Sequence, residues 1–221
     1  MCLRRFTLPL AVLAVLSVPG QTWAATIYSQ GFPSVTGGTS DSASSQIGAD
    51  DFTFATAETI LSVSWMGFYC CDGSPQPTDA FTLNFYADNA GSPGTLLEAF
   101  NVGDAVNRTI TGSSDSVSGE PFFSYVADLG GDFAASAGTT YWLSIVNDTG
   151  TDLNDVWAWG LTLGGNGQFA VQGAWAPAPV TLTFALDDAT SASAVPEPAT
   201  LSLLGVGLAG TAMRRFRKRR R

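Results

Sequence analysis

Four groups of residues in this chain have the types and spacing to do chemistry. Asp148-Thr-Gly-Thr-Asp-Leu-Asn-Asp gathers Asp148, Asp152, Asn154 and Asp155 in one short segment. Calcium takes about six to eight oxygen ligands from such residues, so these four are candidate ligands of a structural calcium ion. The segment lacks the glycine and closing glutamate of an EF-hand loop, and solvated Asx turns are the competing explanation. Trp65, Trp142, Trp157, Trp159 and Trp175 supply flat rings that could stack on sugars. Trp157 and Trp159 alternate onto one side of a strand, with Leu161 continuing it, and with Trp175 they are the candidate sugar platform; a core stripe explains the same spacing. Acid pairs such as Asp72 with Asp79, or Asp152 with Asp155, have the composition for glycosidase chemistry. Nearly every acid stands beside Gly, Ser, Thr or Asn, the setting of a solvated turn, so no pair is singled out and the chain is expected to be no enzyme. Cys70 and Cys71 are adjacent, and their Cα atoms, ~3.8 Å apart, fall below the usual disulfide span. A vicinal disulfide or an intermolecular bridge stands against two reduced thiols.

Charge narrows the field further. The chain carries -9 overall, but Arg4 and Arg5 contribute +2 and the last residues +7, which leaves residues 25–213 at -18 with Arg108 as their only cation. Such a polyanion repels nucleic acid and anionic lipid. The same residues contain neither histidine nor lysine, which removes Ser-His-Asp and Cys-His nucleophiles, lysine Schiff bases and histidine-held zinc or iron. No cofactor is expected apart from the candidate calcium.

The segments that would position these residues read as all-β. Short alternating runs are punctuated by Gly, Ser, Thr, Asp and Asn, and no helical stripe is present. Strands are predicted at Asp51–Phe54, Thr59–Tyr69, with Leu61, Val63, Trp65 and Tyr69 on one face, and Ala80–Tyr86. Others follow near 95–101, 107–111, 122–128, 139–147, 156–163, 167–172 and 180–186, with a turn at Asn89-Ala-Gly-Ser-Pro-Gly. This spacing predicts an antiparallel two-sheet sandwich, jelly-roll-like, over residues 50–188, with a closed barrel as the second architecture. Residues 25–49, rich in Gly and Ser, read as a flexible N-terminal arm, and residues 189–194 as a small-residue linker.

Both ends read as address labels. Residues 1–24 have the layout of a signal peptide: Arg4 and Arg5, an apolar run over Phe6–Val18, and Thr22-Trp-Ala as a small-x-small cut before Ala25. Residues 195–221 begin with Val195, Pro196, Glu197 and Pro198, where the prolines favour an extended backbone around the glutamate. An uncharged run follows over Ala199–Met213, closed by Arg214, Arg215, Arg217, Lys218, Arg219, Arg220 and Arg221 as a cytoplasmic basic stop. Fifteen helical residues reach only ~22 Å of a ~30 Å hydrocarbon core, which suits a transient transmembrane helix better than a permanent anchor.

That order of triplet, hydrophobic run and cations resembles the PEP-CTERM sorting signal of envelope and exopolysaccharide-associated proteins. The resemblance implies an exosortase, a membrane-embedded cysteine transpeptidase, as processing partner beside signal peptidase. It also implies transient inner-membrane insertion, then residence in the cell envelope, at the cell surface or in the extracellular matrix. The body, through Asp51-Phe-Thr-Phe, Trp65-Met-Gly-Phe-Tyr, Phe85-Tyr-Ala-Asp, Gly91-Ser-Pro-Gly and Gly138-Thr-Thr-Tyr-Trp-Leu-Ser-Ile, is similar to the sandwich domains of choice-of-anchor surface proteins, which bring no site residues with them. The expected function is a non-enzymatic structural or adhesive envelope protein associated with exopolysaccharide. The alternative is a calcium-stabilised carbohydrate-binding module.

Overall fold

The computed structural model describes residues 25–32, 34–70, 75–150 and 154–190. The expected signal peptide, residues 191–194 of the linker, the sorting signal with its hydrophobic helix, and Cys71, Asp72 and Asp152 lie outside those residues. No helix among the described residues is long and apolar enough to cross a membrane.

The described residues form fourteen strands and one 3-10 turn. Strand β1 is Thr26–Gln30, β2 Thr36–Thr39, β3 Gln46–Thr53, β4 Glu58–Tyr69, β5 Phe81–Asp88, β6 Pro93–Gly103 and β7 Asn107–Ser114. They are followed by β8 Pro121–Ala135, β9 Thr140–Val146, β10 Trp157–Leu163, β11 Gln168–Val171, β12 Ala174–Pro177, β13 Val180–Leu182 and β14 Phe184–Asp187. One sheet has six strands in the order β12-β11-β3-β9-β5-β6. The other has eight, built on the path β1-β14-β4-β10-β13, with β8 on the far flank of β4, β7 outside β8 and β2 beside β10. The expected antiparallel sandwich is therefore present, and the chain forms two separate sheets rather than one closed barrel.

Alternation makes the core. On β5, Phe81, Leu83 and Phe85 are fully buried while Thr82, Asn84 and Tyr86 face the other way. Within the eight-stranded sheet Trp65 stacks on its cross-strand neighbour Tyr125 at 5.5 Å, and between the sheets Phe85 stacks on Phe133 at 4.3 Å. Burial of each such ring is worth about 1.5–3 kcal/mol, which lets a sandwich with so few ion pairs hold together. The β5–β6 turn follows from its residues: Ala90 and Gly91 take positive φ (54° and 83°), and the Asp88 carboxylate accepts from the Gly91 N–H at 3.1 Å.

Three expectations need correction. Residues 25–49 are no loose arm: β1 pairs with β14, β2 with β10, and β3 lies within the six-stranded sheet. Gly37 and Gly38, read as signs of flexibility, are there for close approach, since a Cβ on Gly37 would lie 3.0 Å from the Trp159 carbonyl oxygen. Leu61 does not share the core face with Val63 and Trp65. A register shift against β8 between Ile60 and Ser62 turns Ile60 inward instead, fully buried. The β12 strand, Ala-Trp-Ala-Pro, had too little alternation to be read from sequence and is formed by pairing with β11.

Candidate functional site

The sugar platform read from the sequence divides in two. Trp157 and Trp159 are fully buried in the main core, and the Trp159 indole N–H donates to the Thr183 carbonyl at 2.7 Å. Their shared side is the inner side of β10, so the core stripe is the correct reading and neither ring meets a ligand. Trp65 and Trp142 are also fully buried. Among the described tryptophans Trp175 alone is partly exposed, on the outer face of the six-stranded sheet.

That outer face carries a second aromatic group. Asp51, Trp142 and Tyr86 are direct cross-strand neighbours on β3, β9 and β5, in the register that sends Phe52, Tyr141 and Phe85 inward. The Trp142 indole N–H donates to Asp88 at 2.8 Å, and Asn166 donates to Asp51 at 2.8 Å. Trp175 meets Tyr86 edge-on, with ring centroids 6.0 Å apart. Their strands stand four places apart, about 19 Å in a flat sheet. The sheet must therefore curl toward its outer face, and the Gln168 amide, donating to the Gly91 carbonyl at 3.0 Å, ties β11 to the β5–β6 turn across the curl. An open hollow lined by Ala87, Asp88, Asn89, Pro93, Gly94 and Thr95 adjoins it. Half-buried rings edged by amides and carboxylates can stack on the apolar face of a sugar and bond its hydroxyls. Burial also pushes the Tyr86 phenol above its usual range, so it stays a neutral donor.

The candidate calcium segment does not assemble among the described residues. Asp148 is exposed and accepts from the Gly150 N–H at 2.9 Å, an Asx turn. Asp155 is buried and accepts from the Gln76 amide at 3.3 Å, and Asn154 is exposed. No group of three or more Cys, Asp or Glu among the described residues is placed to hold a metal. Cys70 is disulfide-bonded.

Two buried carboxylates escaped sequence reading because their partners are distant in the chain. Asp41 accepts four bonds, from the N–H groups of Ala43, Thr149 and Trp157 and the Thr149 hydroxyl, and so joins the 3-10 turn at Ser42–Ser44 to β10. Asp50 on β3 accepts from the Leu182 N–H at 2.7 Å, linking the two sheets, and from Asp51 N–H. Burial raises its carboxyl to about 7, against the pull of those two bonds. Asp79, offered as half of an acid pair, is bound by Tyr69 and Arg108.

Comparison with known proteins gives two family matches. A model described as Domain of unknown function (DUF7901) matches residues 26–197, and one described as PEP-CTERM protein-sorting motif matches residues 194–220. No curated protein matches the chain. Among solved structures, a family 3a carbohydrate binding module from the cipA scaffolding of Clostridium thermocellum is similar at 13% identity, covering 69% of this chain and 97% of its own, with a TM-score of 0.29. A likeness that slight says nothing of what this chain binds.

Proposed function

The chain belongs to the DUF7901 family of domains of unknown function, and from that premise we propose that it is a non-enzymatic adhesive protein of the cell envelope that holds extracellular polysaccharide on the outer face of its six-stranded sheet. The PEP-CTERM motif makes it an exported exosortase substrate with a membrane-anchored sorting signal. The disulfide at Cys70 fits an oxidising compartment.

The observation that carries the reading is the Trp175–Tyr86 pair, partly exposed on a curled face whose edges are Asp51, Asp88 and Gln168. With -18 over residues 25–213, the fitting polymer bears no carboxylates or sulfates, because a polyanion would be repelled. A non-catalytic role fits the carboxylates too. Asp41, Asp50 and Asp79 are each tied to backbone or to Arg108, the work of structural groups rather than of an acid held ready for a glycosidic bond. Neither catalysis nor calcium has a part in this reading.

Affinity electrophoresis through gels holding neutral or uronic-acid polysaccharide tests it. Retardation is expected in a neutral gel and is expected to vanish in Trp175→Ala with the melting temperature kept. Equal migration of the two proteins in every gel overturns the proposal.

A further inference from the structure

The two ends of the sandwich meet. The Ala25 N–H donates to the Asp188 carboxylate at 3.0 Å, and the Asp188 N–H donates back to the Ala25 carbonyl at 3.2 Å. Beside them the Thr26 hydroxyl donates to the Asp187 carboxylate at 2.7 Å. Thr26, Asp187, Ser62 and Asp128 form one cross-strand row over β1, β14, β4 and β8, on the face opposite the buried Leu186, Val63 and Ala127. Asp187 and Asp188 thus bring two carboxylates to this corner, and Asp128 stands two strands away in the same row as Asp187. The only cation of residues 25–213, Arg108, is engaged elsewhere with Asp79.

We propose that export cleaves the Ala24–Ala25 bond and that the ammonium group created on Ala25 closes an ion pair with Asp188, locking β1 onto β14. Hydrolysis of that bond consumes one water and leaves a carboxylate on Ala24 and an amine on Ala25. The proton of the new acid ends on the amine, which is charged at neutral pH. The atom that gains the charge is the nitrogen already bonded to Asp188, so cleavage converts a neutral hydrogen bond into a charge-assisted one without moving the chain. It brings a positive charge to a corner where Asp187 and Asp188 supply two negative ones. β1 lies at the end of its sheet path and pairs with β14, so this end bond is what resists fraying. The contact also makes maturation at the amino end a source of order at the carboxyl end, since Asp188 is where the sandwich hands over to the segment leading to the sorting signal.

The sign of the pH effect follows. An α-amino group that gains a carboxylate partner on folding has its folded pKa raised, so the stabilisation is complete below the ordinary α-amino value of about 7.7–8 and is lost as pH rises through the raised value. Asp187 on β14 and Asp188 just after it are the titratable groups at this corner, with Asp128 on β8 two strands farther along the row, and all act in the same direction.

The inference rests on export and not on polysaccharide binding. Its test uses the mature protein purified from the envelope, sequenced from its amino end, with the α-amino group titrated by NMR in wild type and in Asp188→Asn. Ala25 as first residue is expected, with an α-amino pKa about 0.5–1 above the ordinary value that returns to it in the variant. At pH 6 the free amino terminus is expected to melt about 1–3 °C above the N-acetylated protein, a difference that disappears near pH 10. A different first residue, or Ala25 with an ordinary α-amino pKa, overturns the inference and leaves the export reading standing. An uncut chain in the cytosol overturns both.

Discussion

Arg108 reaches Asp79 at 3.1 Å, with the carboxylate almost wholly buried and the guanidinium partly exposed. Around this pair, Tyr69 donates to Asp79, Asn147 donates to the Tyr69 hydroxyl at 3.0 Å, and Asp104 accepts from the Asp79 N–H at 2.8 Å. Arg108 also donates to the Gln76 carbonyl at 3.1 Å and lies 5.7 Å from the centre of the Phe123 ring. The network fastens the peripheral strand β7 to β4, to the residue that follows β9 and to the segment before β5. The single cation of the exported body is spent on a structural joint.

Removing that cation should therefore cost stability in a pH-dependent way. Burial raises the Asp79 carboxyl, and the Tyr69 and Arg108 bonds oppose it. In Arg108→Met the carboxyl rises further, so the folded state binds a proton that the unfolded state lacks, and stability falls as pH climbs above the unfolded carboxylate range. A loss of about 2–4 kcal/mol at pH 8, shrinking toward pH 5, is expected from urea unfolding. An equal loss at both pH values would mean that the arginine acts through packing alone.

Asp50 gives a second pH signature with the same sign. Its folded carboxyl sits at about 7, well above its unfolded value, so its contribution is complete near pH 4 and is lost as pH rises to about 7. The swing is at most about 4 kcal/mol. Asp50→Asn should flatten the curve of unfolding free energy against pH between 4 and 7, and a curve of unchanged slope would remove Asp50 as its cause.

The two classes of tryptophan should separate on substitution. Trp159→Ala empties a fully buried site and orphans the Thr183 carbonyl, an expected loss of about 3–5 kcal/mol in chemical unfolding. Trp175→Ala should cost less than about 2 kcal/mol, because its ring is partly exposed.

Gly67 on β4 faces the Trp157 indole so closely that a Cβ would lie 2.6 Å from the Ala158 carbonyl oxygen and would overlap the ring itself. The first of these atoms is backbone of the paired strand β10 and has nowhere to go. Gly67→Ala should destabilise by about 1–3 kcal/mol, against the usual gain in a strand from replacing glycine. A neutral result by thermal melting would mean that β4 and β10 part more easily than their register suggests.

Much of the architecture was legible because two-residue periodicity survives in single segments. Phe81, Leu83 and Phe85 show their inward face in eight residues of β5, and Asn89-Ala-Gly marks its turn. The first three strands were harder. β2 reads Thr-Gly-Gly-Thr, and its glycines make sense only beside the Phe68 and Phe169 rings that they admit. The irregularity at Leu61 was hidden for a similar reason, since Leu61, Val63 and Trp65 alternate in the sequence and the extra residues that shift the register lie on β8. Of the candidate site, Trp175 was named from composition, but Tyr86 was not, because its partnership depends on a sheet curl that no local pattern encodes.

The sequence by itself determined what is additive along the chain: the acidic charge, the absence of histidine and lysine from the body, the sorting label at the end, and the strand texture. Those properties depend on residue type and near neighbours. The tertiary structure decided which tryptophans are core and which remains at the surface, where Arg108 is spent, and that Ala25 and Asp188 touch. Each of those depends on groups far apart in sequence being brought within a few ångströms, and only the pairing of two curled sheets fixes such distances.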